Sequence, residues 1–312
     1  LGDERIDGGY MTVQETTVSR RSFIGNGAYV PDGSTIPEGV LIGVMSAVPR
    51  NADMHPNQTW IGSPAMNLPA REVVQGYPDH LTFAPSHWRM LGRGSVEAFR
   101  IAAPHALVIA AGYAIVLDAM PLASAGRWGA VVLDLAVAGI VFGLGAFLAV
   151  ALFKWLLVGR YRKKAVPMWT PFVWLSEATT SMYEGIAVPN FLRYLRGTPW
   201  LNVAMNAMGS KIASSAYLDT TDITEHDCVT VGAHSELNAL CCPQTHLFED
   251  RVMKIDEVVI GERVTMGARC TVLYSAEVGD GVQLGPMTLV MKGESLPAGT
   301  RWHGAPAAPQ LG

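Results

Sequence analysis

The sequence predicts a mainly β protein, a parallel β-helix in two parts with a transmembrane helical hairpin between them. Three observations predict it. Aliphatic residues recur every six positions in two stretches, two long charge-free runs separate those stretches, and only 16% of the 312 residues are charged while 49% are hydrophobic. Soluble domains carry about 25% charge, so an ordinary soluble enzyme fits poorly, and so apolar a chain is not disordered.

The first repeat has its anchors at Ile24, Val30, Ile36, Ile42 and Val48. The second has them at Ile260, Met266, Val272, Val278, Leu284, Val290, Leu296 and Trp302, and hexads can also be traced through Val231, Leu237 and Pro243, before a break in the period. A period of six suits neither a helix nor an alternating strand. It suits a β-helix in which each hexad supplies one short strand and one turn, three hexads to a coil. Glycine directly follows the anchor at 25, 43, 261, 267, 279 and 285, which reads as a turn requirement.

Between the repeats, Ile101–Leu117 and Leu135–Phe153 carry no formal charge. At 1.5 Å per residue they reach roughly 25 and 28 Å, close to the thickness of a bilayer core. Asp118–Asp134, with Pro121, Gly126 and Gly129, reads as the connecting turn. Arg89, Arg93 and Arg100 precede the pair, and Lys154, Arg160, Arg162, Lys163 and Lys164 follow it, with only Arg127 in the turn. The positive-inside rule then puts both β-helical parts on the cytoplasmic side of the inner membrane. His105 reads as interfacial. The aromatic stretch Met168–Trp200 suits either a segment lying in the headgroup layer or a helical cap on the β-helix, and the sequence leaves that open. The resulting layout is 1–70, first β-helix; 71–100, amphipathic linker; 101–158, membrane hairpin; 159–208, interfacial helical segment; 209–312, second β-helix.

The net charge of −4 provides no basic face for nucleic acid. Four cysteines, at 228, 241, 242 and 270, do not make a disulfide framework. The chain opens on Leu1 and polar residues rather than a cleavable signal, and reads as a piece of a longer polypeptide.

Chemistry concentrates where the hexads break, from Gln244 to about Met253. A loop leaving a rigid prism is a place for reactive side chains. His246 is the candidate general base, with Glu249 and Asp250 beside it to orient its ring. Asp219, Asp222, Glu225 and Asp227, with His226 among them, form an acidic run that reads as a solvated turn, as a hold for an acceptor ammonium, or as support for His246 from a neighbouring coil. Asn238 and Gln244 complete the substrate-binding candidates. His234, Cys241, Cys242 and His246 have poor spacing for zinc, because adjacent cysteines on a strand point to opposite faces. A nucleophilic Cys241 or Cys242 is disfavoured against a buried thiol. His55 and His303 read as surface residues.

Hexads with a protruding Thr-His loop resemble the left-handed β-helix acyltransferases. Trp60-Ile-Gly-Ser-Pro-Ala65 and Trp302-His-Gly-Ala-Pro-Ala307 resemble the final turn of such domains. More narrowly, Tyr217–Glu225, Gln244-Thr-His-Leu-Phe-Glu-Asp-Arg-Val-Met-Lys254, Val290–Gly304 and Trp60–Glu72 are similar to the C-terminal region of the membrane-bound non-ribosomal peptide synthetases of the ε-poly-L-lysine synthetase type. The resemblance implies tandem acyltransferase-like domains that join carrier-bound aminoacyl thioesters to an amine, an amino acid or a growing peptide. It also implies carrier and adenylation domains of the same synthetase as partners, and no cofactor held by this chain itself. The donor would be a phosphopantetheine-linked thioester, and several prisms would imitate the trimer of simpler relatives, intramolecularly or as an oligomer. Two alternatives stand beside it: an O- or N-acetyltransferase using acetyl-CoA on a membrane-associated acceptor, and an inactive scaffold that docks carrier domains.

Overall fold

The computed structural model describes residues 5–49, 52–68 and 76–310. The expected boundary near residue 70 lies outside the described residues.

The second prism is built of stacked coils. Val259 pairs with Glu277 and Glu277 with Ser295, in each case parallel and eighteen residues on. Three hexads thus make one coil, and the coils line up as parallel sheets on three faces. The anchors point inward: Met266, Val272, Val278 and Val290 are fully buried and Ile260, Leu284 and Leu296 nearly so. Burying each such side chain contributes about 1.5–3 kcal/mol. The first prism repeats the pattern, with Thr17 on Thr35, Phe23 on Leu41 and Leu41 on Thr59, around Val30, Ile36, Ile42 and Val48.

The glycine after the anchor serves stacking rather than turning. A Cβ at Gly232 would lie 2.5 Å from the backbone of Gly261 on the next coil, so no side chain fits between the coils. The left-handed backbone sits elsewhere, at 263, 269, 275, 281, 287, 293 and 299, one residue per hexad. Gly232→Ala is therefore expected to destabilise by about 1–3 kcal/mol through overpacking. Gly94→Ala, on an open helical surface, should be neutral or stabilising, and thermal unfolding in detergent compares the two.

Each prism ends alike. Thr59–Ile61 turns back on Met66–Leu68, and Arg301–His303 on Ala308–Pro309, in antiparallel pairs. The two ends meet, Ser63 N donating to Ala305 O at 2.7 Å.

Helices α1 (His87–Ser124) and α2 (Trp128–Leu157) are longer than the charge-free runs. Asp118 and Asp134 lie inside them, and the connection shrinks to residues 125–127; α1 also begins within the expected linker. A charged residue inside an apolar helix reads as a turn in the sequence, but helix propensity tolerates it. Both helices are long and apolar enough to cross a membrane, and Ile109, Tyr113, Ile140 and Val141 are 65–70% exposed.

The 159–208 segment packs as a cap. Strand Lys164–Pro167, α3 (Pro171–Met182), a π turn at Tyr183–Ala187 and helix Pro199–Met208 follow in order. Leu192, Leu201, Met205 and Met208 share one buried core with Ile212 and Leu218. Trp200 and Tyr194 stay exposed.

Candidate active site

The hexad break is a hairpin rather than a loop. Thr230 pairs with Val259, twenty-nine residues on instead of eighteen, and the surplus leaves the prism as strands His246–Glu249 and Val252–Ile255. Lys164–Pro167 adds a third antiparallel strand, and Asp256 N donating to Thr245 O at 3.0 Å closes the base.

Alternation along the strand decides what His246 meets. His246 and Phe248 share a face, their rings edge-on at 5.6 Å, while Leu247 and Glu249 take the other. Glu249, three residues from His246, accepts instead from Lys292 Nζ at 2.8 Å and forms an ion pair with Lys254 Nζ at 2.6 Å. Asp250 occupies the left-handed tip with φ 49°. Neither is the partner bonded to the ring, and this corrects the sequence expectation.

The partner is Glu225, on the coil below. Its Oε2 lies 2.7 Å from His246 Nδ1 and accepts from Thr245 Oγ1 at 2.5 Å and Thr224 Oγ1 at 2.7 Å. The carboxyl is fully buried. Burial alone would raise its pKa, but the charge and hydrogen bond of His246 and the two hydroxyls outweigh it and hold the carboxyl at about 2. A carboxylate only accepts, so Nδ1 carries the proton and neutral His246 presents Nε2 as a base. Burial would depress His246 likewise. The Glu225 charge and hydrogen bond, with a smaller push from Glu177 on α3, raise it above 6.5.

The remaining candidates scatter. Gln244 Nε2 donates to the His246 carbonyl at 3.0 Å, and Asn238 Nδ2 to Met266 O on the next coil at 2.8 Å. Asp219 stands 3.8 Å from Arg196 Nε. Asp222 is driven up by burial, against a pull from Arg196, and burial also raises Glu184 in the neighbouring π turn, with Asp222 adding to it. Cys228 and Cys242 are pushed up to about 12, chiefly by burial, so neither thiol offers a thiolate near neutrality. Thr224, Thr245 and Glu177 escape sequence reasoning. Nothing local marks them except that Thr245 precedes His246.

Two cavities flank the hairpin where the first prism faces it. One, about 380 Å³, lies between Arg21 and Phe23 of the first prism and Glu177, Phe248 and Arg251. The other, about 190 Å³, is lined mainly by apolar side chains such as Val44, Leu247, Leu273 and Leu289. Phe248, on the same strand face as His246, lines the larger cavity.

No family model matches the chain. Over 309 residues, 99% of its length, it is 52% identical to Delta-poly-L-ornithine synthetase of Acinetobacter baumannii, and it spans 23% of that protein. The resemblance to the poly-amino-acid synthetases thus extends along the whole chain. Similar solved structures include a hexapeptide-repeat acetyltransferase from Vibrio cholerae, at 12% identity, covering 36% of this chain and 78% of that one with a TM-score of 0.32. A maltose O-acetyltransferase from Clostridium difficile 630 is 15% identical, covering 36% and 75% with a TM-score of 0.29. A serine acetyltransferase from Neisseria gonorrhoeae is 12% identical, covering 58% and 76% with a TM-score of 0.24.

Proposed function

We propose that this chain is the amide-bond-forming part of a membrane-bound poly-amino-acid synthetase, working as an acyltransferase with His246 as general base. The observation that carries the reading is the buried Glu225 carboxylate on His246 Nδ1, which leaves Nε2 as an oriented proton acceptor. The donor is an aminoacyl thioester on the phosphopantetheine arm of a carrier domain, a substrate lying in the cleft between the first prism and the hairpin. The acceptor amine attacks the thioester carbonyl while His246 Nε2 takes its proton. The C–N bond forms, the C–S bond breaks, and the imidazolium returns the proton to the leaving thiolate.

Glu225 and Glu177 place two carboxylates within electrostatic reach of the base, which favours an acceptor carrying a second ammonium, as ornithine in the relative's name does. An arriving cation offsets the cost of keeping these carboxylates ionised. The apolar, exposed α1 and α2 span the inner membrane in this reading, since so large an apolar surface requires lipid or protein cover. Both prisms then lie at the cytoplasmic end, with the carrier and adenylation domains of the synthetase.

The test uses full-length enzyme in detergent with a loaded carrier, an amine acceptor and mass spectrometry of the amide. Free CoA in excess is expected to leave the rate unchanged. Strong competition by CoA, with acetyl transfer from acetyl-CoA, would replace this reading by a simple acetyltransferase. The pH profile is a second check. The base must be neutral, so the rate is expected to rise with pH through a midpoint above the ordinary histidine value of 6.5.

A further inference from the structure

Glu225 opens a short helical turn, His226–Cys228, whose middle residue reaches toward the membrane helices. Asp227 Oδ2 accepts from Lys154 Nζ at 2.6 Å and from Tyr161 N at 3.1 Å. Lys154 is in the last turn of α2 and fully buried, with its ammonium 3.4 Å from the centroid of the Trp155 ring. Arg160 Nε stands 4.0 Å from Asp227 Oδ1 but is itself largely exposed. A Cβ at Gly209 would lie 2.5 Å from Asp227 Oδ1, so the carboxylate packs in the space that any side chain at 209 would need. His226, between the two acids, is buried edge-on against Tyr183 at 5.1 Å. Burial, then the Lys154 charge, hold its pKa near 3 against Glu225, so it adds no charge to the turn at neutral pH.

Three consecutive residues thus face two ways: Glu225 holds the base, and Asp227 holds the end of α2. A buried lysine is costly unless paired, and this pairing fastens the turn to the end of α2. We propose that Lys154 is a positioning residue, its ion pair with Asp227 fixing the turn that aims Glu225 at His246. The end of a long apolar helix then sets the orientation of the base through Glu225, two residues from the anchor point. The effect on rate rests on the reading of His246 as general base; the effect on the ring does not.

The experiment reads the ring directly. In full-length enzyme in detergent, diethyl pyrocarbonate modifies neutral His246, and peptide mass spectrometry gives the pH midpoint of that modification. Glu225 and, more weakly, Glu177 are the charged groups that set it. Lys154→Met is expected to lower the midpoint and to cut kcat about 10-fold or more with little change in KM. Lys154→Arg should restore both. The double variant Lys154→Met/Asp227→Asn removes both charges, avoiding a lone buried carboxylate. It is expected to unfold near the wild-type temperature yet keep the lowered midpoint. A folded single or double variant with the wild-type midpoint overturns the inference. Since the midpoint reports His246 alone, it decides this point whatever group proves to be the base.

Discussion

His246→Ala is expected to lower amide formation by 10²–10⁴-fold, the usual contribution of a positioned general base, while thioester loading of the carrier continues at the wild-type rate. The alanine also strips Glu225 of its strongest donor, and a buried carboxylate left underpaired is destabilising, so lost activity and lost folding must be separated. His246→Asn does this. Its side-chain amide N–H falls near the position of Nδ1 and keeps a donor on Glu225, yet it has no basic nitrogen at Nε2. The expected result is an enzyme with near-native unfolding temperature and the same rate loss as the alanine variant. If the asparagine variant makes amide at the wild-type rate from the loaded carrier, bond formation lies elsewhere and this prism serves as a docking scaffold.

The contrast between what the sequence shows and what it hides follows from the geometry of a coil. Anchors such as Met266 and Val278 are legible because burial demands an aliphatic side chain once per hexad. The left-handed corners share that period but hold Arg263, Arg269, Ser275 and Met287 as well as glycine, so no residue type marks them. The hairpin shows as a break in register, but the partner of His246 cannot be found by searching nearby. Glu249 is closer in sequence and faces the wrong way because strands alternate. Glu225 is twenty-one residues away, and only the coil places it under the ring. That coil is itself irregular: Ile212 pairs with Val231, nineteen residues on, and the extra residue shifts the acidic run relative to the hexads. From sequence, Asp222 and Glu225 were equivalent. In the structure burial raises one carboxyl while hydrogen bonds hold the other near 2. The same limit applies to the aromatic segment, where a cap and an interfacial helix need similar side chains until the packing against Ile212 and Leu218 is seen.

Glu225→Gln separates the charge of the dyad from its geometry. With the amide oxygen at the position of Oε2, the glutamine still accepts from Nδ1, Thr245 and Thr224, so the ring and its tautomer are retained. What disappears is the negative charge that raises the His246 pKa. Burial then prevails, and the midpoint of the pH–rate profile is expected to move downward, with a plateau about 10- to 10²-fold below wild type as the imidazolium loses its stabilisation. Glu225→Ala removes the acceptor altogether, leaving two hydroxyls and an N–H buried without a partner at about 1–3 kcal/mol each, and should lose both stability and rate. Acid unfolding supplies an independent check. A carboxyl held near 2 instead of its ordinary 4.5 contributes stability that is fully present above 4.5 and is lost as the pH falls through about 2. The glutamine variant has no such group, so its unfolding temperature should depend less on pH across that window than that of the wild type. If the two curves run parallel between pH 5 and 2, within about 0.3 kcal/mol of each other, Glu225 is not the buried carboxylate described here. The orienting role assigned to it would then fall with it.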